Sequence, residues 1–375
     1  MAEPLLHLVT TEQWRATVAA GLLAPPSLAE VGFVHLSTPA QVHLPADRMF
    51  AGRSDVWLLV LDPDRLGVEV RSEPGVPGDP ASMRFPHAYG PVPLRAVTAV
   101  LPYRPGADGR FDPPAVPTQD AAGRLRSFEP SVLRRAATAE QPVTGGVAVL
   151  TDPYPASYEH NQLLIDGGTD PDRLTTDAER VLGGAGLDHR KALLNGEHLA
   201  GVAAELDERG WDVQPLVGMA AAAGEPVAPT PGEPWAEQVT RRRLRGFWAA
   251  GWRRDQPELT PDEIAQLDDR HDVEEAVTDL RYLAVFADRR PVASCLVKID
   301  GGTALIDAVL TDPEHRGRGH GDTVLRTARA IAANAGCDLT VLYAAAQDWP
   351  RHWYARRSFT EVGRAWEVMR TSRVP

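Results

Sequence analysis

The chain contains the stretch Asp307-Ala-Val-Leu-Thr-Asp-Pro-Glu-His-Arg316-Gly-Arg-Gly-His-Gly321-Asp-Thr-Val-Leu325, which predicts a strand, a glycine-rich turn and the start of a helix. Three glycines at alternate positions allow the backbone to approach a ligand closely. A helix beginning near Asp322 would direct its free amides and the positive end of its dipole at that turn. Apolar residues follow at helical spacing, at Val324, Leu325, Ala328, Ile331 and Ala332. The stretch therefore predicts a turn that binds a phosphate or pyrophosphate.

The pattern excludes two common phosphate-binding turns. A Lys-Ser/Thr pair is missing, so the turn is not a P-loop, and Asp322 replaces the third glycine of a dinucleotide fingerprint. The remaining motif, Arg316-x-x-Gly319-x-Gly321, resembles the acyl-coenzyme A loop of the GNAT acetyltransferases, and the likeness runs from about Arg281 to Arg370. The alternative is a tight turn that binds nothing.

The resemblance implies which residues hold acetyl-CoA as a co-substrate. The pantetheine arm would pair with the backbone of Val309, Leu310 and Thr311. The pyrophosphate would accept hydrogen bonds from the backbone amides of Arg316, Gly317, Arg318, Gly319, His320 and Gly321.

Length and charge limit the classes of protein. With 375 residues, two or three domains are expected. The formal net charge of -12 argues against a nucleic acid or an anionic membrane as partner, since both would be repelled. A small-molecule or peptide amine, often cationic, fits better as acceptor.

Cysteine usage favours a reducing compartment. Cys295 and Cys337 are far apart and belong to no paired motif, so neither a disulfide framework nor a thiolate zinc site is expected, and we predict no metal. The residues after Met1 do not show the basic n-region and apolar run of a signal peptide, and no apolar stretch is long enough to span a bilayer. We therefore expect a cytoplasmic protein.

The segment 1–105 predicts a small α/β domain with a polar pocket. Alternation in the strand Gly32–Ser37 places His35 and Ser37 on one face with Phe33, and Pro86 and Gly90 bracket a turn. Buried histidines bonded to the backbone are the alternative. The residues that would line the pocket are His7, His35, Ser37, His87 and Tyr89.

In their order and spacing, these residues resemble a small bacterial family called domain of unknown function 952. The resemblance covers nearly the whole segment and implies a fold related to ADP-ribosyltransferases. It makes the His35 and Ser37 face a candidate pocket for a nicotinamide nucleotide, without implying a reaction.

The rest of the chain is predicted to be a tandem GNAT-like mixed sheet flanked by helices. We expect a linker at 106–127, a degenerate GNAT-like half at 128–222, a second linker at 223–234 and the acetyltransferase domain at 235–375. The degenerate half is suggested by Tyr154–Asn161 and by Gly210-Trp-Asp-Val, which resemble the first half of some tandem GNAT proteins. Candidate acceptor contacts from this half are His160, His189 and Arg190, for which surface or core roles are the alternative.

The C-terminal domain has the element order that the GNAT fold requires. Strands are predicted at Tyr282–Ala287, Val292–Ile299 and Thr303–Leu310, with a hairpin turn at Gly301-Gly302. Helices are predicted at Trp235–Trp252 and Pro261–Val277, and a closing hairpin at Phe359–Met369.

Two residues are candidates for the acyl-transfer chemistry. The block Trp353-Tyr354-Ala-Arg-Arg-Ser-Phe359 resembles the Tyr-x-x-x-Gly-Phe block of the family, with Ser358 where glycine is usual. Tyr354 is then the acid for the departing thiolate, because a phenol of pKa about 10 has comparable basicity. A packed tyrosine is the alternative. Asp307 is a candidate base or amine-orienting group.

The sequence therefore predicts an acetyl-CoA-dependent N-acyltransferase that acts by direct transfer to an unidentified amine. Two alternatives remain: an acyl-CoA or nicotinamide-nucleotide sensor without turnover, and NAD-linked chemistry in the N-terminal domain.

Overall fold

The computed structural model describes residues 3–75, 83–230 and 232–371 as a mixed α/β fold, as predicted. The N-terminal domain has a sheet of order β1-β4-β8 and a smaller sheet of order β3-β6-β5, with β2 paired to β7. Its strands are β1 (Leu5–Thr10), β2 (Leu22–Leu23), β3 (Val34–His35), β4 (Val56–Leu61), β5 (Val70–Pro74), β6 (Arg84–Ala88), β7 (Val92–Pro93) and β8 (Val97–Tyr103). Its helices are α1 (Thr11–Ala20), α2 (Pro26–Val31) and α3 (His43–Met49).

The middle segment begins with a helix that lies partly in the predicted linker 106–127. This helix starts at Ala121 because the Asp120 side chain accepts the amide hydrogen of Gly123 and caps it. The elements of the segment are α4 (Ala121–Ala136), β9 (Ala139–Val143), β10 (Gly146–Leu150), β11 (Gln162–Ile165), α5 (Pro171–Ala178), β12 (His189–Asn195), α6 (Ala200–Glu208) and β13 (Asp212–Ala222).

The C-terminal segment has the predicted order of elements. It consists of β14 (Glu237–Val239), α7 (Arg241–Asp255), α8 (Pro261–Asp269), α9 (His271–Glu275), β15 (Asp279–Ala287), β16 (Arg290–Asp300), β17 (Thr303–Thr311), α10 (His320–Asn334), β18 (Leu339–Ala345), α11 (Pro350–Ala355) and β19 (Thr360–Thr371). The three predicted antiparallel strands are β15, β16 and β17.

Three predicted elements differ from the structure. The helix expected from Trp235 begins only at Arg241, because residues 237–239 pair with β15 as an edge strand. The helix expected over Pro261–Val277 is divided at Arg270 into α8 and α9. The expected closing hairpin is the single strand β19, which is held extended by pairing with β13 on one side and β12 on the other.

One sheet of eleven strands joins the middle and C-terminal segments. Its order is β14-β15-β16-β17-β18-β13-β19-β12-β11-β10-β9, so β13 from the middle segment lies between two strands of the C-terminal segment. Residues Leu216–Ala222 of β13 pair with β18, and Asp212–Ala220 pair with β19. The middle and C-terminal segments therefore share one hydrogen-bonded sheet.

Buried polar contacts attach the N-terminal domain to this sheet. The indole of Trp14 donates to the backbone oxygen of Val277 at 3.0 Å, and both residues are fully buried. The amide of Gly302, in the β16–β17 hairpin, donates to the backbone oxygen of Val97 at 2.7 Å. An unpaired buried carbonyl costs about 1–3 kcal/mol, so these contacts favour one docking geometry. In the described ranges, no helix is long and apolar enough to cross a membrane.

We expect Gly301→Ala to weaken this docking. Gly301 has φ +67° and an added Cβ would lie 2.2 Å from the Val97 oxygen, whereas Gly186 has φ +74° and open space around it. Gly186→Ala should therefore cost only the conformational penalty of about 1–2 kcal/mol, while Gly301→Ala should cost about 1–3 kcal/mol more. Calorimetric unfolding of both variants measures the difference, and equal losses would contradict the close approach.

Candidate active site

Strands β17 and β18 separate at the centre of the sheet. They pair in parallel only over Thr303–Leu305 and Leu339–Val341, and β18 continues against β13. From Ile306 to Thr311, β17 is paired with β16 on one edge, and no described strand pairs with the other edge. The backbone of Val309, Leu310 and Thr311 thus lies along the open edge that the acyl-CoA resemblance requires.

A bulge in β17 lies at the start of this open edge. The register with β16 shifts between Ser294 and Leu296, and Ala308 adopts a positive φ of 49°. The carboxylate of Asp307 accepts the amide hydrogen of Ala308 at 2.7 Å. Because a bulge redirects a side chain out of the regular alternation, Asp307 enters the space beside the sheet.

The glycine-rich turn connects the open edge to helix α10. Gly317 and Gly319 have φ values of 74° and 78°, which is the left-handed region that favours glycine. Helix α10 starts at His320, slightly earlier than expected. Within the described chain, no acceptor takes a hydrogen bond from the backbone amides of residues 317–321. These amides and the helix end therefore form a site suited to an anion.

Side chains around the turn leave it accessible. Among the residues that the structure describes, Arg316 and Arg318 donate only to backbone oxygens of Thr311 and Glu314, at 3.4 and 3.2 Å. At Gly321, an added Cβ would lie 3.3 Å from the Trp353 ring, so this glycine permits close packing of α10 on α11. That packing positions the next residue, Tyr354.

The Tyr354 phenol lies in an aromatic cluster beneath the turn. Its ring contacts Trp353 and Phe359, with centroid distances of 4.8 and 5.7 Å. Burial, together with nearby Cys295 and Asp307, raises the pKa of Tyr354 and keeps the phenol protonated at neutral pH. Its hydroxyl has no hydrogen-bond partner among the residues described, so it is free to donate. Both the acid and the packing interpretation of Tyr354 remain open on this geometry.

Ser358 adopts the conformation of the glycine that it replaces. Its φ is 68°, in the left-handed region, and its amide donates to the oxygen of Ala355 at 3.2 Å. The turn after α11 therefore keeps a glycine-like path in spite of the substitution. A non-glycine residue in this region costs about 1–2 kcal/mol.

A cavity of about 450 Å³ lies beside the bulge, between the middle and C-terminal segments. Strand β17 contributes Leu305 through Leu310, and helix α7 contributes Trp248 and Trp252. Among the described residues, six acidic and three basic side chains line it: Glu129, Glu159, Asp255, Glu274, Asp307, Glu367, Lys191, Arg270 and Lys298. The cavity is therefore acidic, and an amine that enters it would meet Asp307.

Two cations, the buried Lys298 and the half-buried Arg270, compensate part of this negative charge. Lys298 lies 2.8 Å from Glu274 and 3.6 Å from Asp307. Arg270 lies 3.1 Å from Glu159. Burial opposes the ionisation of Glu159, but Arg270 and Lys298 outweigh it and lower its pKa.

Glu129 is the acid in this cavity whose ionisation is most strongly opposed. Burial, followed by the charges of Glu159 and Asp307, raises the pKa of Glu129 well above its usual range. Oxygens of Glu129, Glu159 and Asp307 all lie within 4.8 Å of one another. Such a carboxylate triad could also attract a metal ion, but Lys298 and Arg270 already supply positive charge at the same carboxylates.

Sequence reasoning missed Glu129, Glu159 and Lys298. Glu129 is followed by Pro130 inside α4, where proline removes one helical hydrogen bond and leaves the oxygen of Arg126 without its partner. The side-chain amide of Asn195 donates to that oxygen at 2.9 Å and so compensates the defect. A proline inside an otherwise regular helix was the one local signal that this position is unusual.

The candidate acceptor contacts of the middle segment lie at different positions relative to the cavity. The His160 ring is buried behind the cavity, with Nε2 3.5 Å from Glu274. The His189 ring is buried against Tyr158 and bonded to the oxygen of Asn161, and Arg190 pairs with Glu179. The structure thus places His160 next to the cluster of charges, whereas His189 and Arg190 are away from the cavity wall.

In the N-terminal domain, four of the five predicted pocket residues form one cluster. The His35 and His87 rings lie 5.0 Å apart, and Phe33 stacks on His87 at 4.0 Å. Nδ1 of His7 donates to the oxygen of His35 at 2.7 Å, while Tyr89 donates to Glu73 at 2.7 Å. The backbone of Ser37 pairs with Leu6 of β1, so Ser37 ties the two sheets together beside the cluster. The rings pack largely against one another, which is compatible with either a pocket wall or a small core.

Comparison with known proteins agrees with both resemblances. Residues 243–359 match the model of the family described as Acetyltransferase (GNAT) family, and residues 8–100 match the model of Protein of unknown function (DUF952). No curated protein matches the chain. The resemblance of the two segments to these families is therefore confirmed.

Solved structures match parts of this chain. A functionally unknown conserved protein from Staphylococcus epidermidis ATCC 12228 superposes with a TM-score of 0.50 and 12% identity, over 63% of this chain and 93% of its own. A GCN5-related N-acetyltransferase from Kribbella flavida gives 0.46 and 19%, over 68% and 96%. Protein CC0527 from Caulobacter crescentus gives 0.26 and 29%, over 29% and 93%. The family match over residues 243–359 supports a general acyltransferase function.

We expect the N-terminal histidine cluster to make folding stability depend on pH. Burial lowers the pKa of His7 to about 4, and also lowers the pKa values of His35 and His87. These pKa values are depressed in the folded state, so the neutral histidines contribute to the free energy of unfolding. That contribution is fully present above pH 6.5 and is lost as pH falls toward 4. For His7 alone the loss is about 3 kcal/mol.

Thermal unfolding between pH 7 and pH 4 measures this dependence. His7→Asn keeps a donor near Nδ1 but cannot titrate, so its unfolding temperature should fall less over the same range. Parallel curves for the variant and the natural chain would show that His7 is accessible to protons in the folded state.

Proposed function

We propose that the protein transfers the acetyl group of acetyl-CoA directly to an amine bound in the acidic cavity. The observation that carries this proposal is the continuity of the site. The open edge of β17 ends in the glycine-rich turn at one end and borders the cavity at Asp307 and Ala308 at the other. An acyl thioester along that edge would have its reactive end next to the acceptor space.

The chain supplies two groups of contacts for acetyl-CoA. Unpaired amides of residues 317–321 and the start of α10 suit the pyrophosphate, because they combine free donors with the positive end of the helix dipole. The unpaired edge from Val309 to Thr311 suits the amide groups of pantetheine, because an extended chain can add to an open strand. Both groups of contacts consist of residues that the resemblance to the GNAT acetyltransferases implies.

The charge of the cavity favours a cationic acceptor, either a small molecule or a peptide amine. Six carboxylates against three cations would attract an ammonium group and repel an anionic substrate. The indoles of Trp248 and Trp252 also line the cavity, and an aromatic ring can contact a cation or an apolar carbon chain. A panel of putrescine, lysine methyl ester and tyramine, with glutamate as the anionic control, tests this preference by free-thiol release.

In the proposed reaction, the neutral amine attacks the thioester carbonyl carbon, a C–N bond forms and the C–S bond breaks. Tyr354 donates its proton to the departing thiolate, and Asp307 orients the amine through its carboxylate. A phenol kept protonated by burial is suited to this role.

A sensor that binds acyl-CoA without turnover is the second candidate, and thiol release that depends on the amine distinguishes the two. We do not propose a nicotinamide nucleotide, because neither the family matches nor the packed histidine cluster supports one.

We expect Gly319→Glu to abolish the binding of acetyl-CoA. The substitution places a negative side chain where the pyrophosphate should lie, while acetyl-CoA at a hundred times its Kd should stabilise the natural protein by about 2.7 kcal/mol. Gly210→Glu is the matched control, since both glycines have φ +78° and open surroundings, but Gly210 follows α6. Thermal unfolding with and without acetyl-CoA tests the site, and an unchanged stabilisation of Gly319→Glu would refute it.

We expect Tyr354→Phe to lower the rate of chemistry without weakening acetyl-CoA binding. The replacement keeps the packing on Trp353 and Phe359 and removes only the acid. General-acid catalysis contributes about 10²- to 10⁴-fold, so single-turnover rates should fall by that factor. A rate within threefold of the natural protein would leave Tyr354 as a packing residue. Single-turnover conditions are needed because product release can limit kcat.

A further inference from the structure

We propose that Glu129, which the middle segment contributes through helix α4, is the general base that takes the proton from the acceptor amine. This inference rests on the proposed acyl transfer and assigns a catalytic role to the segment that otherwise resembles a degenerate half.

The first argument is the position of Glu129. Its side chain lines the cavity opposite the bulge of β17, and one of its oxygens lies within 4.8 Å of an oxygen of Asp307. An ammonium group held by Asp307 would therefore be within reach of Glu129 as well. Helix α4 is held firmly there, because Arg124 and Arg135 on either side of Glu129 form ion pairs with Asp338 and Asp300 at 2.8 and 2.7 Å.

The second argument is that the other carboxylates already have cationic partners. Lys298 contacts Glu274 and Asp307, Arg270 contacts Glu159, and Lys191 lies 3.1 Å from Glu367. Asp255, the remaining acid of the lining, is 3.3 Å from Arg254. Within the described ranges, Glu129 forms no ion pair; the nearby charges of Glu159 and Asp307 raise its pKa, and Lys298, beyond ion-pair distance, lowers it. An incoming ammonium would supply a cation in direct contact, which this carboxylate lacks.

The third argument is the chemistry of an isolated carboxylate in a cavity. Desolvation and two negative neighbours raise the pKa of Glu129, which makes its ionised form a stronger base than an exposed glutamate. General bases are most effective when their pKa approaches the working pH. Glu159 is unsuited to the role, because its neighbouring cations lower its pKa.

The protons balance over the whole reaction. The substrate ammonium gives one proton to the Glu129 carboxylate and becomes a neutral amine, which attacks the thioester carbon. The C–S bond breaks, the thiolate receives a proton from Tyr354, and the attacking nitrogen loses its second proton to solvent. Solvent then carries the proton from Glu129 back to the Tyr354 phenolate, so the net products are an amide, a free thiol and one proton released to solvent.

The test compares Glu129→Gln with the natural protein in single-turnover reactions with acetyl-CoA and each of the three amines. We expect Glu129→Gln to be about 10²- to 10⁴-fold slower, with acetyl-CoA binding unchanged. In the natural protein the single-turnover rate should rise with pH and then level off, whereas the rate of Glu129→Gln should not show this rise. Glu129→Asp, which keeps a carboxylate, should recover at least about tenfold over Glu129→Gln. Glu208→Gln, on the exposed end of α6, is the control and should leave the rate unchanged.

Thermal stability gives a second readout that needs no turnover. Because the pKa of Glu129 is raised in the folded protein, its protonated form contributes to the free energy of unfolding, and this contribution is lost as pH rises through that pKa. Glu129→Gln should therefore unfold at a higher temperature than the natural protein at pH 8. Glu274→Gln should unfold at a lower temperature, since it leaves Lys298 without its closest partner. A residue that only holds the fold together would not combine higher stability with lower activity.

The outcomes separate this inference from the proposed function. If the natural protein releases thiol with an amine and Glu129→Gln does so within threefold, Glu129 is not the base and acyl transfer stands. If acetyl-CoA binds but none of the amines causes thiol release, the proposed function fails and Glu129 loses its role with it. A lower unfolding temperature for Glu129→Gln at pH 8 would also overturn the inference, because it would show that the carboxylate stabilises the fold.

Discussion

The insertion of β13 between β18 and β19 is the constraint on which the rest of this structure depends. Backbone groups in the interior of a sheet must be hydrogen-bonded, and β13 provides partners for both neighbours at once. Neither the middle segment nor the C-terminal segment has a complete sheet without the other. The cavity is a consequence of this arrangement, because Glu129 and Glu159 come from one segment, while Asp307 and Lys298 come from the other.

Helix α4 links this sheet to the N-terminal domain through buried arginines. Arg135 pairs with Asp300 and lies near the rings of Trp14 and Trp57, while Arg124 binds Asp338 and the oxygen of Gly302. Removing one partner of a buried pair is costly, although the pair itself adds little net stability. These contacts therefore specify where the domain docks more than they strengthen the fold. They also hold the helix that carries Glu129, so the N-terminal domain and the cavity share a support.

The acidic cavity is a place where the fold accepts an electrostatic cost. Three carboxylates approach one another where water is partly excluded, and only part of their charge is compensated. A core selected for stability alone would contain apolar residues in place of these three carboxylates. Strained backbone occurs next to it at Ala308, and also at Ser358, in the turn after the helix that carries Tyr354. Unfavourable charge and strained backbone are concentrated at functional sites, which agrees with the acyltransferase function that the family match supports.

The sequence by itself determined the features that depend on local patterns. The glycines between Arg316 and Gly321, followed by an amphipathic segment, specified the turn and α10. Short apolar runs with a glycine hairpin turn specified β15, β16 and β17, because these signals act over a few residues. The motif around Tyr354 identified that residue as a candidate acid, and it lies on the short helix α11. Only the tertiary structure decided that residues 360–371 form one strand and not a hairpin, because β13 and β12, from distant sequence, pair with both of its edges. It also decided that Glu129 meets Asp307: no local pattern relates two positions so far apart, and only the shared sheet brings their side chains to one cavity.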